Sequence, residues 1–109
     1  MEKIALVTGS SRGIGRAVAR ELAHQGWRVC INYRERRDCA ESLAEQLAVR
    51  GHETMICQAD VSRRYEVQAM VRAVEKKWGP VSLLVNNAGV AGQALFQDVP
   101  DERWHRYFS

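Results

Sequence analysis

Four short apolar runs, separated by three amphipathic stretches of helical period, constrain this chain more than any other feature. Lys3–Val7 (KIALV), Arg28–Tyr33 (RVCINY), Glu53–Gln58 (ETMICQ) and Val81–Val85 (VSLLV) read as strands. Between the first two, Ile14, Val18 and Leu22 recur at i, i+4 and i+8 and stop at Gly26. Ala40, Leu43, Ala44 and Leu47 form a second apolar face closed by Gly51, and Val67, Met70, Val71, Val74 and Trp78 form a third, ended by Gly79 and Pro80. Asp38 with Glu41 has the form of a capping box, and Ser62 is placed as the N-cap of the third helix. A further helix is expected from Asp101 onward. Strands alternating with helices demand right-handed crossovers, hence a parallel sheet covered on both faces, and the nearly unbroken apolar strands agree. The expected fold class is α/β: an incomplete doubly wound parallel sheet, strand order 3-2-1-4, with residues 1–109 forming one partial domain.

Composition narrows the class of function. Apolar residues make up 46% of the 109 residues and charged residues 27%, enough for a core and too apolar for a disordered chain. No apolar stretch approaches the roughly 20 residues that cross a bilayer, and MEKIALVTG runs straight into a strand without a signal peptide's pattern. Cys30, Cys39 and Cys57 contain no CxxC pair and are read as small core residues in a reducing, cytoplasmic compartment. The net charge of +3 is spread along the chain, with only Arg34, Arg36 and Arg37 tightly clustered. Arg36 and Arg37 read as solvated loop charges, so neither a nucleic-acid partner nor a membrane is expected. His24, His52 and His105 lie far apart in sequence without ligand spacing, and are expected as surface residues with no metal site.

The first strand runs into Thr8-Gly9-Ser10-Ser11-Arg12-Gly13-Ile14-Gly15. At a strand-to-helix turn, such a loop presents the helix's unpaired N–H groups and positive dipole end to an anion. Gly9 allows the tight turn, Gly13 allows close approach of a pyrophosphate, and Gly15 allows helix and strand to pack closely. The GxxxGxG spacing differs from the commoner GxGxxG, and no Gly-Lys-Ser/Thr follows to make a P-loop. A dinucleotide site also needs a group for the adenosine ribose about 20 residues on, at the end of the second strand. An Asp or Glu there would accept from the 2′-hydroxyl; this strand instead ends Asn32-Tyr33-Arg34. Two guanidiniums, Arg12 and Arg34, with the hydroxyls of Ser10 and Ser11, suit a phosphate dianion and favour NADP(H) over NAD(H).

These residues resemble the classical branch of the short-chain dehydrogenase/reductase family, which includes 3-oxoacyl-(acyl-carrier-protein) reductases. Thr8, Gly9, Gly13 and Gly15 match its TGxxxGxG pattern, Asp60-Val61 the pair that flanks the adenine ring, and Asn86-Asn87-Ala88-Gly89 its NNAG motif. The resemblance covers essentially all of the chain. It implies a Rossmann-type fold, with Asp60 on the adenine amino group and the backbone around Asn87, Ala88 and Gly89 lining the cofactor's ribose. It also implies catalysis by a Ser, a Tyr-x-x-x-Lys pair and an Asn. No candidates for that set are present: Tyr33 and Tyr65 are followed four residues on by Arg37 and Ala69, and the chain ends two residues after Tyr107. The expected function is therefore the cofactor-binding half of an NADP(H)-dependent oxidoreductase interconverting a small ketone, such as a 3-oxoacyl thioester, and a secondary alcohol. The complete enzyme is expected to be a homo-oligomer, and this chain alone to be inactive and prone to self-association through its fourth strand. The alternatives are a truncated, non-catalytic nucleotide-binding module and a methyltransferase-like domain, the latter disfavoured by Tyr33-Arg34.

Overall fold

The computed structural model describes residues 2–87. Strands β1 (Ile4–Val7), β2 (Arg28–Tyr33), β3 (Thr54–Gln58) and β4 (Leu83–Val85) alternate with helices α1 (Gly13–His24), α2 (Arg37–Val49) and α3 (Arg64–Trp78). All strand pairs are parallel, in the order β3-β2-β1-β4, as the alternation requires. Ile4 lies opposite Arg28, Val29 opposite Thr54, and Ala5 opposite Leu83.

The period-2 alternation of the strands divides the core between two faces. Ile4, Leu6 and Cys30 pack with Val67, Met70, Val71 and Val74 of α3. Val7, Val29, Ile31 and Tyr33 pack on the other side with Ala19 and Ala23 of α1 and with Ala40, Leu43 and Leu47 of α2. Burying Leu43 and Leu47 is worth roughly 1.5–3 kcal/mol for each side chain. That burial holds α2 in place, because the ion pairs on its outer side are exposed and contribute little.

Several local expectations are corrected. The contact line of α1 is Gly15, Ala19 and Ala23, one residue on from the Ile14, Val18, Leu22 stripe. The helix lies so close to the sheet that only small residues fit there; Val18 and Leu22 flank it half-buried, and Ile14 is 75% exposed. Helix α2 starts before the proposed capping box. Its N-cap is Arg36, Asp38 pairs with Arg36 at 3.0 Å, and Glu41 pairs with Arg37, so both acids are taken by arginines. Helix α3 has Arg63 as N-cap, because Ser62 is turned back onto Asp60. The fourth strand is shorter than expected: the Ser82 hydroxyl accepts from the N–H of Ile4 at 3.0 Å while Ser82 N–H donates to the Ile4 carbonyl, so a side chain completes the ladder's end. Of the cysteines only Cys30 is fully buried; Cys39 and Cys57 are half-buried, and all three are free thiols. His24 and His52 are neighbours, their rings edge to face at 5.1 Å, because the end of α1 and the turn after α2 meet at one edge of the sheet. Among the described residues no three His, Cys, Asp or Glu side chains group as metal ligands, and no helix is long and apolar enough to cross a membrane.

Candidate functional site

The carboxyl ends of β1, β2 and β3 open onto a cleft of about 410 Å³, lined among others by Gly9, Ser11, Arg12, Arg34, Asp60 and Val61. This is the edge of an open parallel sheet at which ligands bind.

The glycine loop forms one wall. Gly9 and Gly13 have φ of +59° and +66°, the left-handed region that glycine enters without strain. A Cβ on Gly13 would meet nothing within 4 Å, so the backbone there faces open space, although Gly13 and Ile14 are not among the residues that line the cleft. A Cβ on Gly15 would lie 2.3 Å from the Gly9 carbonyl oxygen and 2.5 Å from Asn87 Nδ2; only glycine permits that approach. No side chain caps α1 and no acid stands in its first turn, which leaves its amino end suited to an anion. Arg12, at the N-cap, and Ile14 are exposed beside it.

Buried polar groups fix the loop's shape. Thr8, fully buried, donates its N–H to the Val85 carbonyl, and its hydroxyl accepts from Asn87 N–H at 2.8 Å. Asn87 Nδ2 donates to the Gly9 carbonyl at 3.3 Å, so the end of β4 is locked to the loop after β1. Ser10 departs from expectation: its hydroxyl is fully buried, donating to the Val7 carbonyl at 2.7 Å and accepting from Asn32 N–H at 2.8 Å. That hydroxyl is committed to the fold and not offered to a phosphate. Ser11 lines the cleft.

Asn32 is a residue the sequence reading missed. Only 2% exposed, its Oδ1 accepts from Gly9 N–H at 2.9 Å while Nδ2 donates to the carbonyls of Cys57 and Ala59 at 3.2 and 3.3 Å. One amide thus ties the glycine loop to the ends of β2 and β3. The signal was available, since an amide inside the apolar run RVCINY must find partners when buried. Arg16 was also missed, and it gave no such signal: its Nη1 donates to the Ser11 carbonyl at 2.9 Å and to the Cys39 carbonyl at 2.8 Å, a partner 23 residues away.

The opposite wall follows β2. Tyr33, at the position expected for a ribose-binding acid, is 4% exposed, and its hydroxyl accepts from Arg37 Nη1 at 2.9 Å. Arg34 is 70% exposed, with Nε 3.6 Å from Asp60 Oδ2. Asp60 Oδ1 accepts from the hydroxyl and N–H of Ser62 at 2.6 and 3.0 Å. The bonds from Ser62, reinforced by Arg34 and Arg63, hold its carboxyl below the usual carboxylate range, so it stands as an anionic acceptor at neutral pH. Glu35 and Arg36 also border the cleft. Arg36 precedes α2 and pairs with Asp38, in keeping with its reading as a loop charge, whereas Arg37 is the first residue of α2 and divides its guanidinium between Glu41 and Tyr33. Of the expected site residues, Gly9, Ser11, Arg12, Arg34, Asp60 and Val61 come together around one cleft. Gly15 and Asn87 act behind the loop, and Ala88 and Gly89 lie outside the described residues, as do Trp104, Tyr107 and the segment from Asp101 where a further helix is expected.

The chain is similar to known proteins in both sequence and structure. Residues 3–109 match the family model for short chain dehydrogenases. The chain is 41% identical over 104 residues to the 3-oxoacyl-(acyl-carrier-protein) reductase FabG of Staphylococcus epidermidis, covering 95% of this chain and 43% of that protein. Among solved structures, a short chain dehydrogenase from Burkholderia cenocepacia in complex with NADP is similar with a TM-score of 0.77 and 39% identity, over 81% of this chain and 36% of that one. A blue fluorescent protein from a metagenomic library, in complex with NADPH, is similar with a TM-score of 0.77 and 38% identity, over 81% and 36% of the two chains. The chain thus spans less than half the length of the relatives it matches. Glycine loop, strand order and sequence agree: this chain belongs to the short-chain dehydrogenase family.

Proposed function

We propose that this chain is the cofactor-binding half of an NADP(H)-dependent oxidoreductase that interconverts a small ketone and a secondary alcohol. The observation that carries the cofactor choice is the end of β2. Tyr33 fills the place of a ribose-binding acid with a buried ring, while Arg12 and Arg34 border the cleft and can meet a 2′-phosphate. A bare 2′-hydroxyl would find no acceptor at Tyr33, and two guanidiniums gain most from a dianion.

In this reading Gly9 to Gly15 and the amino end of α1 hold the pyrophosphate through backbone N–H groups. Asp60 accepts from the adenine amino group, Val61 packs beside the ring, and the backbone at Asn87, Ala88 and Gly89 borders the nicotinamide ribose. The bound dinucleotide supplies the hydride. The carbonyl-polarising Ser, the proton-donating Tyr and its Lys belong to the remainder of a longer protein, a reading supported by the 43% coverage of the staphylococcal relative. Similarity to that relative, named as a 3-oxoacyl-(acyl-carrier-protein) reductase, favours a 3-oxoacyl thioester as substrate class; in this reading the working form is a cytoplasmic homo-oligomer.

The test exchanges the phosphate-binding end in the natural full-length protein. Each lost charge-assisted contact is worth roughly 1.5–3 kcal/mol, so Tyr33→Asp with Arg34→Ala should shift the NADP(H)/NAD(H) preference at least about tenfold towards NAD(H). Unchanged selectivity in steady-state kinetics with both cofactors refutes the assignment.

A further inference from the structure

We propose that Arg16 is a positioning residue that sets the distance between the two phosphate-binding segments and so contributes to discrimination between phosphorylated and unphosphorylated dinucleotides. The proposal rests on the reading of Arg34 as a 2′-phosphate ligand. Arg16 lies in the first turns of α1, directly after Gly15, and is half-buried. Its Nη1 bridges the Ser11 carbonyl of the glycine loop and the Cys39 carbonyl in the first turn of α2. The first belongs to the wall that would hold the pyrophosphate; the second adjoins Arg34 to Arg36, which line the wall that would hold the adenosine phosphate. Only three residues, Arg34 to Arg36, join β2 to α2, so the position of α2's first turn limits where the Arg34 backbone sits.

The remaining ties of that segment do not reach the glycine loop: Arg37 Nη1 donates to the Tyr33 hydroxyl at 2.9 Å, which joins α2 to the end of β2. The Arg36–Asp38 and Arg37–Glu41 pairs are exposed and bind α2 to itself rather than to the loop. Gln58 Nε2 donates to the Arg34 carbonyl at 3.2 Å, but exposed and towards β3. Asn32 joins the loop to β2 and β3 and leaves α2 untouched. Between the loop and the start of α2, the charge-assisted bridge through Arg16 is therefore the direct polar link among the described residues. A ligand spanning both walls benefits from their preset spacing, because a preorganised site spends less of its binding energy on ordering. A dinucleotide without the 2′-phosphate engages the second wall less and depends less on that spacing.

The experiment measures equilibrium binding of NADPH and NADH to the natural full-length protein, by fluorescence, for Arg16→Met, Arg16→Lys, Arg34→Ala and the Arg16→Met/Arg34→Ala pair. Arg16→Met should weaken NADPH about tenfold, the size expected for losing hydrogen bonds from a charged donor, and NADH about twofold or less. Arg16→Lys keeps an ammonium donor and should recover part of the loss, so the proposal remains testable if the Met variant folds poorly. In the Arg34→Ala background, Arg16→Met should no longer lower NADPH binding more than NADH binding. Equal weakening of both dinucleotides by Arg16→Met and Arg16→Lys, or of neither, with the Arg34→Ala preference lost as expected, overturns the proposal alone. Retention of the NADPH preference by Arg34→Ala overturns the 2′-phosphate reading on which it rests.

Discussion

The two walls of the cleft are built in opposite ways. The glycine loop is backbone held by buried polar groups: Thr8, Ser10 and Asn32 are all under 3% exposed and each bonds main-chain atoms of another segment or of the loop itself. The β2–α2 connection is side chains held by surface ion pairs, with Arg34 70% exposed and tied to Asp60 at 3.6 Å. Buried hydrogen bonds are costly to leave unmade, whereas exposed ion pairs are cheap to rearrange. The lesson is a division of labour: the first wall has one workable shape, while the second can be re-specified by changing one or two side chains.

The sharpest way to break the first wall is Gly15→Ala. Its Cβ would stand 2.3 Å from the Gly9 carbonyl oxygen, so backbone must move. A loss of roughly 3 kcal/mol, the upper range for overpacking, is expected in denaturant unfolding, together with loss of dinucleotide binding. Gly13→Ala is the control: its Cβ meets nothing within 4 Å, and only the positive φ costs, about 1–2 kcal/mol. Equal effects from the two substitutions would contradict the close-packed account of Gly15.

Next in size is Asn32→Ala, which strips the side-chain partner from Gly9 N–H and from the Cys57 and Ala59 carbonyls. About 1–3 kcal/mol of stability should be lost, and amide exchange at Gly9 should accelerate while the buried turns of α3 stay protected. Protection at Gly9 unchanged from the parent protein would show that the loop does not depend on this amide.

The smallest effect sharpens the contrast from the other side. Arg36→Ala removes an exposed pair with Asp38, and neither Tm nor the NADPH/NADH binding ratio should change measurably. A clear drop in that ratio would add Arg36 to the phosphate site proposed around Arg34.

Sequence alone determined the elements, their parallel order and the identity of the loop that follows β1, because these depend on local periodicity and on where glycine is tolerated. TGSSRGIG between an apolar run and a helical pattern can be read without coordinates, and so can the absence of an acid at Tyr33. What tertiary structure decided was which polar groups are free for a ligand and which are already engaged. Ser10 and Ser11 are identical in sequence terms, yet the Ser10 hydroxyl is sealed between Val7 and Asn32 while Ser11 lines the cleft. Arg16, adjacent to the motif, finds its second carbonyl at Cys39; His24 meets His52 across an intervening strand and helix. The α1 contact line fell on Gly15, Ala19 and Ala23 because the distance between helix and sheet, which no periodicity encodes, selects for small side chains over apolar ones. Period and backbone conformation are local properties, whereas hydrogen-bond partners and packing distances are set between segments remote in the chain.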